Sequence, residues 1–142
     1  HTAGGVAMMR AAKESAGDKG TLVVGVTVLT SFSQTALETI GVQRPLEDQV
    51  DVMAKLAAEA EIDGVVASPL ELPRLRKQRG SDFIIVTPGI RKHAHHDDQT
   101  RTLSAQEAIQ AGASYLVVGR PIIEAKDPRK AAEVICEEMA SA

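Results

Sequence analysis

Short runs of β-branched residues alternate with helical patterns along this chain, and that alternation restricts its fold more than any other feature. Four apolar runs stand out, Leu22–Leu29, Gly64–Ala67, Phe83–Val86 and Tyr115–Val118. Each is short, rich in Val and Ile and bounded by turn residues, as buried strands are. Between them Val50, Met53, Ala57 and Ala60 recur at spacings of three and four, which places one apolar stripe on a helix from about Glu47. Ser104 followed by Glu107 has the spacing of a capping box, and Gly112 closes that helix. Asp127-Pro128 pairs an N-cap residue with a proline in the first helical position and opens a terminal helix through Ile135 and Met139. An opening helix runs from about Val6 to Ser15. Ser68-Pro69-Leu70-Glu71 also reads as a capped start, but Pro73 would then lie a turn inside and remove a backbone bond, so that helix is expected near Leu72. The order is a helix and then four strand–helix units, which implies a parallel sheet with right-handed crossovers. Such a sheet is either open or half of an eight-stranded barrel.

Composition narrows the partners. Apolar residues form 44% of the 142, yet aromatic residues only 2%, so the core is aliphatic, as suits parallel strands under helices. A net charge of -3 and the absence of Trp leave neither a basic footprint nor a stacking platform for nucleic acid. No apolar run approaches the roughly 18 residues that a membrane helix needs, and no signal peptide is visible. The single cysteine, Cys136, excludes an internal disulfide, fits a reducing cytoplasm and is expected to pack on the terminal helix. The chain opens at His1, and His1-Thr2-Ala3-Gly4-Gly5 reads as the exit from a preceding strand, so a piece of a longer protein is expected.

Polar residues gather at one end of the strands. The C-terminal ends carry Thr30-Ser31, Ser68, Thr87-Pro88-Gly89-Ile90-Arg91 and Gly119-Arg120-Pro121, whereas the opposite ends carry turns such as Glu61-Ile62-Asp63-Gly64 and Ala111-Gly112-Ala113-Ser114. Barrel chemistry sits on the loops after the C-terminal ends of strands, and phosphate at the last two of them. Gly119 lets backbone N–H groups approach an anion closely, and Arg120 offers a planar fork matched to phosphate oxygens. A long polar stretch from Arg91 to Thr102 reads as a ligand lid, with Arg91 at its root and Gln99 within it. The hydroxyls of Thr30 and Ser31 suit an amide or imide edge, although Ser31 or Ser33 also suits a helix cap. His93, His95, His96, Asp97 and Asp98 invite a metal, but their spacing matches no standard site and no metal is expected.

The ordered set of these motifs resembles the orotidine 5′-phosphate decarboxylase family of the bacterial type. The matching stretches span essentially the whole chain: His1-Thr2-Ala3-Gly4-Gly5, Val26 to Ser31, Leu46 to Val50, Ile62 to Ser68, Val86 to Arg91, Asp98-Gln99 and Val118 to Ile122. The resemblance implies an α/β fold, a (β/α)8 TIM barrel of which residues 1–142 supply the last four strands as the C-terminal half of one domain. It implies that Thr30 contacts the pyrimidine and that Pro88, Arg91, Gln99, Gly119 and Arg120 bind substrate around its phosphate. It further implies cofactor-free removal of CO₂ from orotidine 5′-phosphate to give UMP, in a homodimer with active sites near its interface. Family catalysis uses a lysine–aspartate network with the signature Asp-x-Lys-x-x-Asp, and that spacing does not occur between His1 and Ala142. No catalytic residue is therefore assigned to this chain, and the acid–base half is expected in a missing N-terminal segment. Two other readings stay open: a sugar-phosphate lyase or decarboxylase of the same superfamily, and a half-barrel that binds phosphorylated ligands without catalysis.

Overall fold

The structure is a computed structural model and describes residues 1–91 and 102–142. Helix α1 (Gly5–Ala16) leads into β1 (Val24–Val26), which is followed by α2 (Gln34–Thr39) and α3 (Leu46–Glu59). Then come β2 (Gly64–Val66), α4 (Leu72–Arg79), β3 (Ile84–Thr87) and α5 (Ala105–Gln110). The last elements are β4 (Tyr115–Leu116), α6 (Arg120–Ile123) and α7 (Pro128–Ala140). All neighbouring strands are parallel, in the order β1-β2-β3-β4. The parallel sheet expected from the alternation is therefore present, but the alternation is less strict than the sequence suggests. Helices α2 and α6 are additional, and both are too short for an apolar period to show. Three of the four strands are also shorter than their apolar runs, Leu22–Leu29 yielding only the three residues of β1, whereas β3 keeps four residues shifted by one.

The helix ends follow their sequence signals closely. Ser104 and Glu107 form a reciprocal capping box, and Gly112 turns the chain out at a φ of 104°. The Asp127 side chain accepts the Lys130 N–H, with Pro128 in the first turn of α7. Ser68 and Glu71 likewise form a capping box, but it opens a single 3₁₀ turn, Pro69–Glu71. The α-helix begins after that turn at Leu72, so Pro73 lies in its first turn and costs no helical bond. Cys136 is exposed among the described residues, against the packing role expected of it.

Strand register sorts the sheet into two faces. Gly25, Val65 and Ile85 lie side by side, and Val65 and Ile85 are fully buried beneath the helices with Ala54, Ala57, Leu72 and Leu75. Alternate residues point the other way. That second face carries Val24, Val26, Val66, Val86, Tyr115 and, one position beyond β4, Val117. It is equally apolar but half-buried at best, with Tyr115 53% and Val117 52% exposed. None of these six residues belongs to the core that the helices cover. At the free edge of β1 the Thr2 hydroxyl donates to the Val26 carbonyl at 3.0 Å, as the hydroxyl of Thr27, one residue beyond β1, donates to the Val66 carbonyl at 2.8 Å. Thr2 therefore stands beside β1 where Thr27 stands beside β2.

At the N-terminal ends of β1 and β2 a partly buried network ties the elements together. Asp63 accepts both a bidentate contact from Lys13 Nζ, at 2.6 and 2.7 Å, and the Val23 N–H at 2.7 Å, tying α1 and β1 to the start of β2. Burial works to raise the Asp63 pKa, but the Lys13 hydrogen bond and charge and the Val23 N–H outweigh it and hold the carboxyl below its usual range. A depressed folded pKa means stability that is present above the unfolded value, near 4, and lost as pH falls through the folded value. Asp63→Asn should cost about 1 kcal/mol at neutral pH, because both partners are partly solvated. Urea titrations at pH 7 and pH 3 check this: the gap between wild type and variant should close in acid.

Candidate anion-binding site

The hydroxyls at the strand ends divide by role. Thr27 is fully buried and its hydroxyl is committed to the Val66 carbonyl, so it belongs to the sheet and not to a ligand. Ser33 accepts the Ala36 N–H and caps α2, which is the capping alternative raised by the sequence, while Ser31 is exposed. Thr30 stands half-buried at the mouth just beyond β1. Ser68 is buried and accepts the Leu70 N–H, with its own N–H donated to Glu71 at 2.7 Å. Thr87, at the mouth end of β3, is fully buried, and among the described residues its hydroxyl has no hydrogen-bond partner.

After β3 the chain turns through Pro88 and Gly89, whose φ of 80° suits glycine. Ile90 is buried and bridges to Leu103 as a parallel neighbour, and the Arg91 N–H donates to the Leu103 carbonyl at 2.9 Å. The two ends of the long polar stretch are thereby pinned together, and Arg91 is anchored at its root. Gln99 and the histidine-rich metal candidates lie outside the described residues. Among the described residues no group of three His, Cys, Asp or Glu is placed to hold a metal ion.

After β4, Gly119 is exposed and its carbonyl accepts the N–H groups of Ile122 and Ile123 as α6 begins. A methyl group built on Gly119 would meet no atom within 4 Å, so the space in front of it is open. Pro121, in the first turn of α6, needs no N–H there.

Arg91 and Arg120, from two different strand ends, line one cavity of about 750 Å³ with Ile90 and Pro121. A cavity of that size holds a small molecule, and two guanidinium groups on it make it suited to a phosphate-bearing one. Its far wall is α7, which contributes Lys130 among apolar side chains such as Val134 and Ile135. In the sequence Lys130 reads as a helix residue away from the strand mouth, and the one signal for it is its place in the first turn of α7. Carboxylates of Glu124, Asp127 and Glu138 share the lining, so the cavity is cationic on the strand side and mixed along α7. Thr30 and Pro88 stand at the same C-terminal mouth but do not line this cavity. Lys13, by contrast, is held by Asp63 at the opposite end of the sheet, far from any role in this mouth.

The family model for orotidine 5'-phosphate decarboxylase / HUMPS matches residues 1–135. The chain belongs to that family. It is 47% identical over 98% of its length to the orotidine 5'-phosphate decarboxylase of Trichlorobacter lovleyi, and 49% identical over its full length to that of Syntrophotalea carbinolica. The crystal structure of orotidine 5'-phosphate decarboxylase from Lactobacillus acidophilus superposes on 98% of the chain with a TM-score of 0.84 at 37% identity. The chain spans 60% and 62% of the length of the two curated relatives, and 61% of the solved chain. Its parallel α/β sheet is thus part of the (β/α)8 barrel of orotidine 5'-phosphate decarboxylases. The site at its C-terminal mouth stands where barrels of this kind place their loops for chemistry.

Proposed function

We propose that the complete protein decarboxylates orotidine 5′-phosphate to UMP, and that residues 1–142 are the C-terminal half of its single barrel domain, carrying the phosphate and pyrimidine contacts. The observation that carries this reading is the meeting of Arg91 and Arg120 on one cavity at the strand mouth. In it Arg120 grips the phosphate with its planar fork, backed by the open approach over Gly119. Arg91 meets the same group, Pro88 contacts the substrate from outside the cavity, Gln99 contacts it from the same loop, and Thr30 reads the pyrimidine edge. Thr27 and Ser33 stay outside the ligand contacts because their hydroxyls already serve the sheet and a helix cap.

The phosphate is remote from the carbon that loses CO₂. Its binding energy serves closure, orientation and removal of water around the reacting ring, where charge develops. The lysine that protonates the ring carbanion, and the aspartates around it, come from outside these residues. No metal or organic cofactor takes part. The complete protein works in the cytoplasm as a homodimer. Support for the half-barrel reading comes from the sheet itself: parallel sheets are covered on both faces, and here one apolar face and the outer edge of β1 are open.

Turnover assays test the proposal. The complete protein should convert orotidine 5′-phosphate to UMP with full activity after chelator treatment, and the 142-residue chain alone should not. Failure of the complete protein to form UMP overturns the substrate, and turnover by the chain alone overturns the division of labour.

A further inference from the structure

Lys130 is placed against the preference of its own helix. It lies in the first turn of α7, where the backbone N–H groups carry the positive end of the helix dipole and a cation is disfavoured. That turn holds no acidic side chain beyond the N-cap, Asp127, whose carboxylate already accepts the Lys130 N–H at 3.0 Å. Arg129, one residue earlier, escapes the same conflict by reaching along the helix to Glu133 at 2.9 Å. Among the described residues the Lys130 ammonium makes no such pair. Its side chain instead lines the cavity that Arg91 and Arg120 reach from the strand mouth.

We infer that Lys130 is a third cation of the phosphate site and sets its preference for a doubly charged phosphate. The inference rests on the phosphate reading above and adds a residue to it. A phosphate monoester carries about −1.5 to −2 charges at neutral pH, because its second pKa is about 6. Arg91 and Arg120 match that charge, but Glu124, Asp127 and Glu138 border the same cavity and repel an anion that enters it. Lys130, on the α7 side with Asp127 and Glu138, offsets their field where the phosphate arrives. An ammonium acts there as a compact, hydrated point charge, directly or through one water, and needs no fixed fork. The arginines fix the geometry of the phosphate, and Lys130 selects its charge state.

Binding by the complete protein tests this, with Lys130→Gln, Lys130→Glu and Lys130→Arg titrated against UMP and uridine by calorimetry. Lys130→Gln should weaken UMP about three- to tenfold at low salt, Lys130→Glu further and Lys130→Arg little, with uridine unchanged throughout. The loss should shrink as salt is raised, and again at pH 5, where the phosphate carries a single charge. With orotidine 5′-phosphate as substrate, KM should rise and kcat hold. Without ligand, the thermal midpoint of Lys130→Glu should equal or exceed that of wild type, since an acid suits the first helical turn. Stability and UMP affinity then move in opposite directions, which a purely structural lysine does not produce. Unchanged UMP affinity in Lys130→Glu, or an equal loss for UMP and uridine, overturns the inference. So does a loss as large at pH 5 as at neutral pH. If Arg120→Ala also fails to separate UMP from uridine, the phosphate reading itself falls. If Arg120→Ala separates them and Lys130→Glu does not, only the role of Lys130 falls.

Discussion

Arg120→Ala in the complete protein should weaken UMP binding by roughly a hundredfold to a thousandfold while leaving uridine affinity nearly unchanged. In the proposed site the fork of Arg120 would supply two charge-assisted hydrogen bonds to phosphate oxygens, and bonds to charged groups contribute about 1.5–3 kcal/mol each. Even with partial compensation by Arg91, the loss amounts to about 3–4 kcal/mol, and each 1.4 kcal/mol is a factor of ten. Uridine lacks the phosphate, so it separates loss of the grip from collapse of the mouth. Isothermal titration with both ligands makes the comparison. An equal loss for UMP and uridine would show that Arg120 holds the loop instead of the ligand. Arg120→Lys should recover only part of the affinity, because an ammonium keeps the charge but not the planar fork.

The second large effect concerns stability, at the opposite end of the sheet. Arg76 on α4 should prove the most sensitive charged residue outside the mouth: Arg76→Ala is expected to cost about 3–4 kcal/mol. Its guanidinium donates to the carbonyl of Gly112 at 2.6 Å, of Gly80 at 2.9 Å and of Phe83, and to the Ser114 hydroxyl at 2.8 Å. Ser114 in turn accepts the Ile85 N–H at 3.0 Å, so one side chain joins the end of α4, the start of β3 and the turn before β4. Partial burial pushes the Arg76 pKa down, and the hydrogen bonds it donates offset that cost. Removing it takes the donor from the part-buried carbonyls of Gly112 and Phe83 at once, while that of Gly80 meets water. Urea denaturation of the complete protein should show the midpoint falling with little change in slope, as expected when native stability alone is altered. A loss below about 1 kcal/mol would show that water replaces the guanidinium without penalty.

These two arginines are not equally visible in the sequence. Arg120 stood out because it follows a β-branched run and a glycine directly, a local pattern with a chemical meaning. Arg76 lies in a helix rich in basic residues, Arg74 to Arg79, and nothing local separates it from its neighbours. Arg74, for instance, faces outward to Glu47, Asp48 and Asp51 of α3, where solvent weakens the pairing. The difference between them is a matter of which carbonyls the fold brings within reach. The strand-end hydroxyls teach the same lesson. Thr27, Thr30, Ser68 and Thr87 look alike as residues beyond a strand, yet only Thr30 is left partly open at the mouth.

What the chain determines by itself is therefore local. The period of its apolar residues sets strand against helix, and Ser104-to-Glu107, Ser68-to-Glu71 and Asp127-Pro128 set helix starts, because caps are made by residues three or four apart. Shorter elements such as α2 and α6 escape that logic, since six or four residues carry less than two turns of pattern. Tertiary structure alone decides the rest. It brings Arg91 and Arg120 from separate strand ends to one cavity, and it turns Arg76 into a joint between three elements. It also sorts identical valines into a covered face and an open one, because strand pairing fixes which side each residue takes and helix packing covers only one of them.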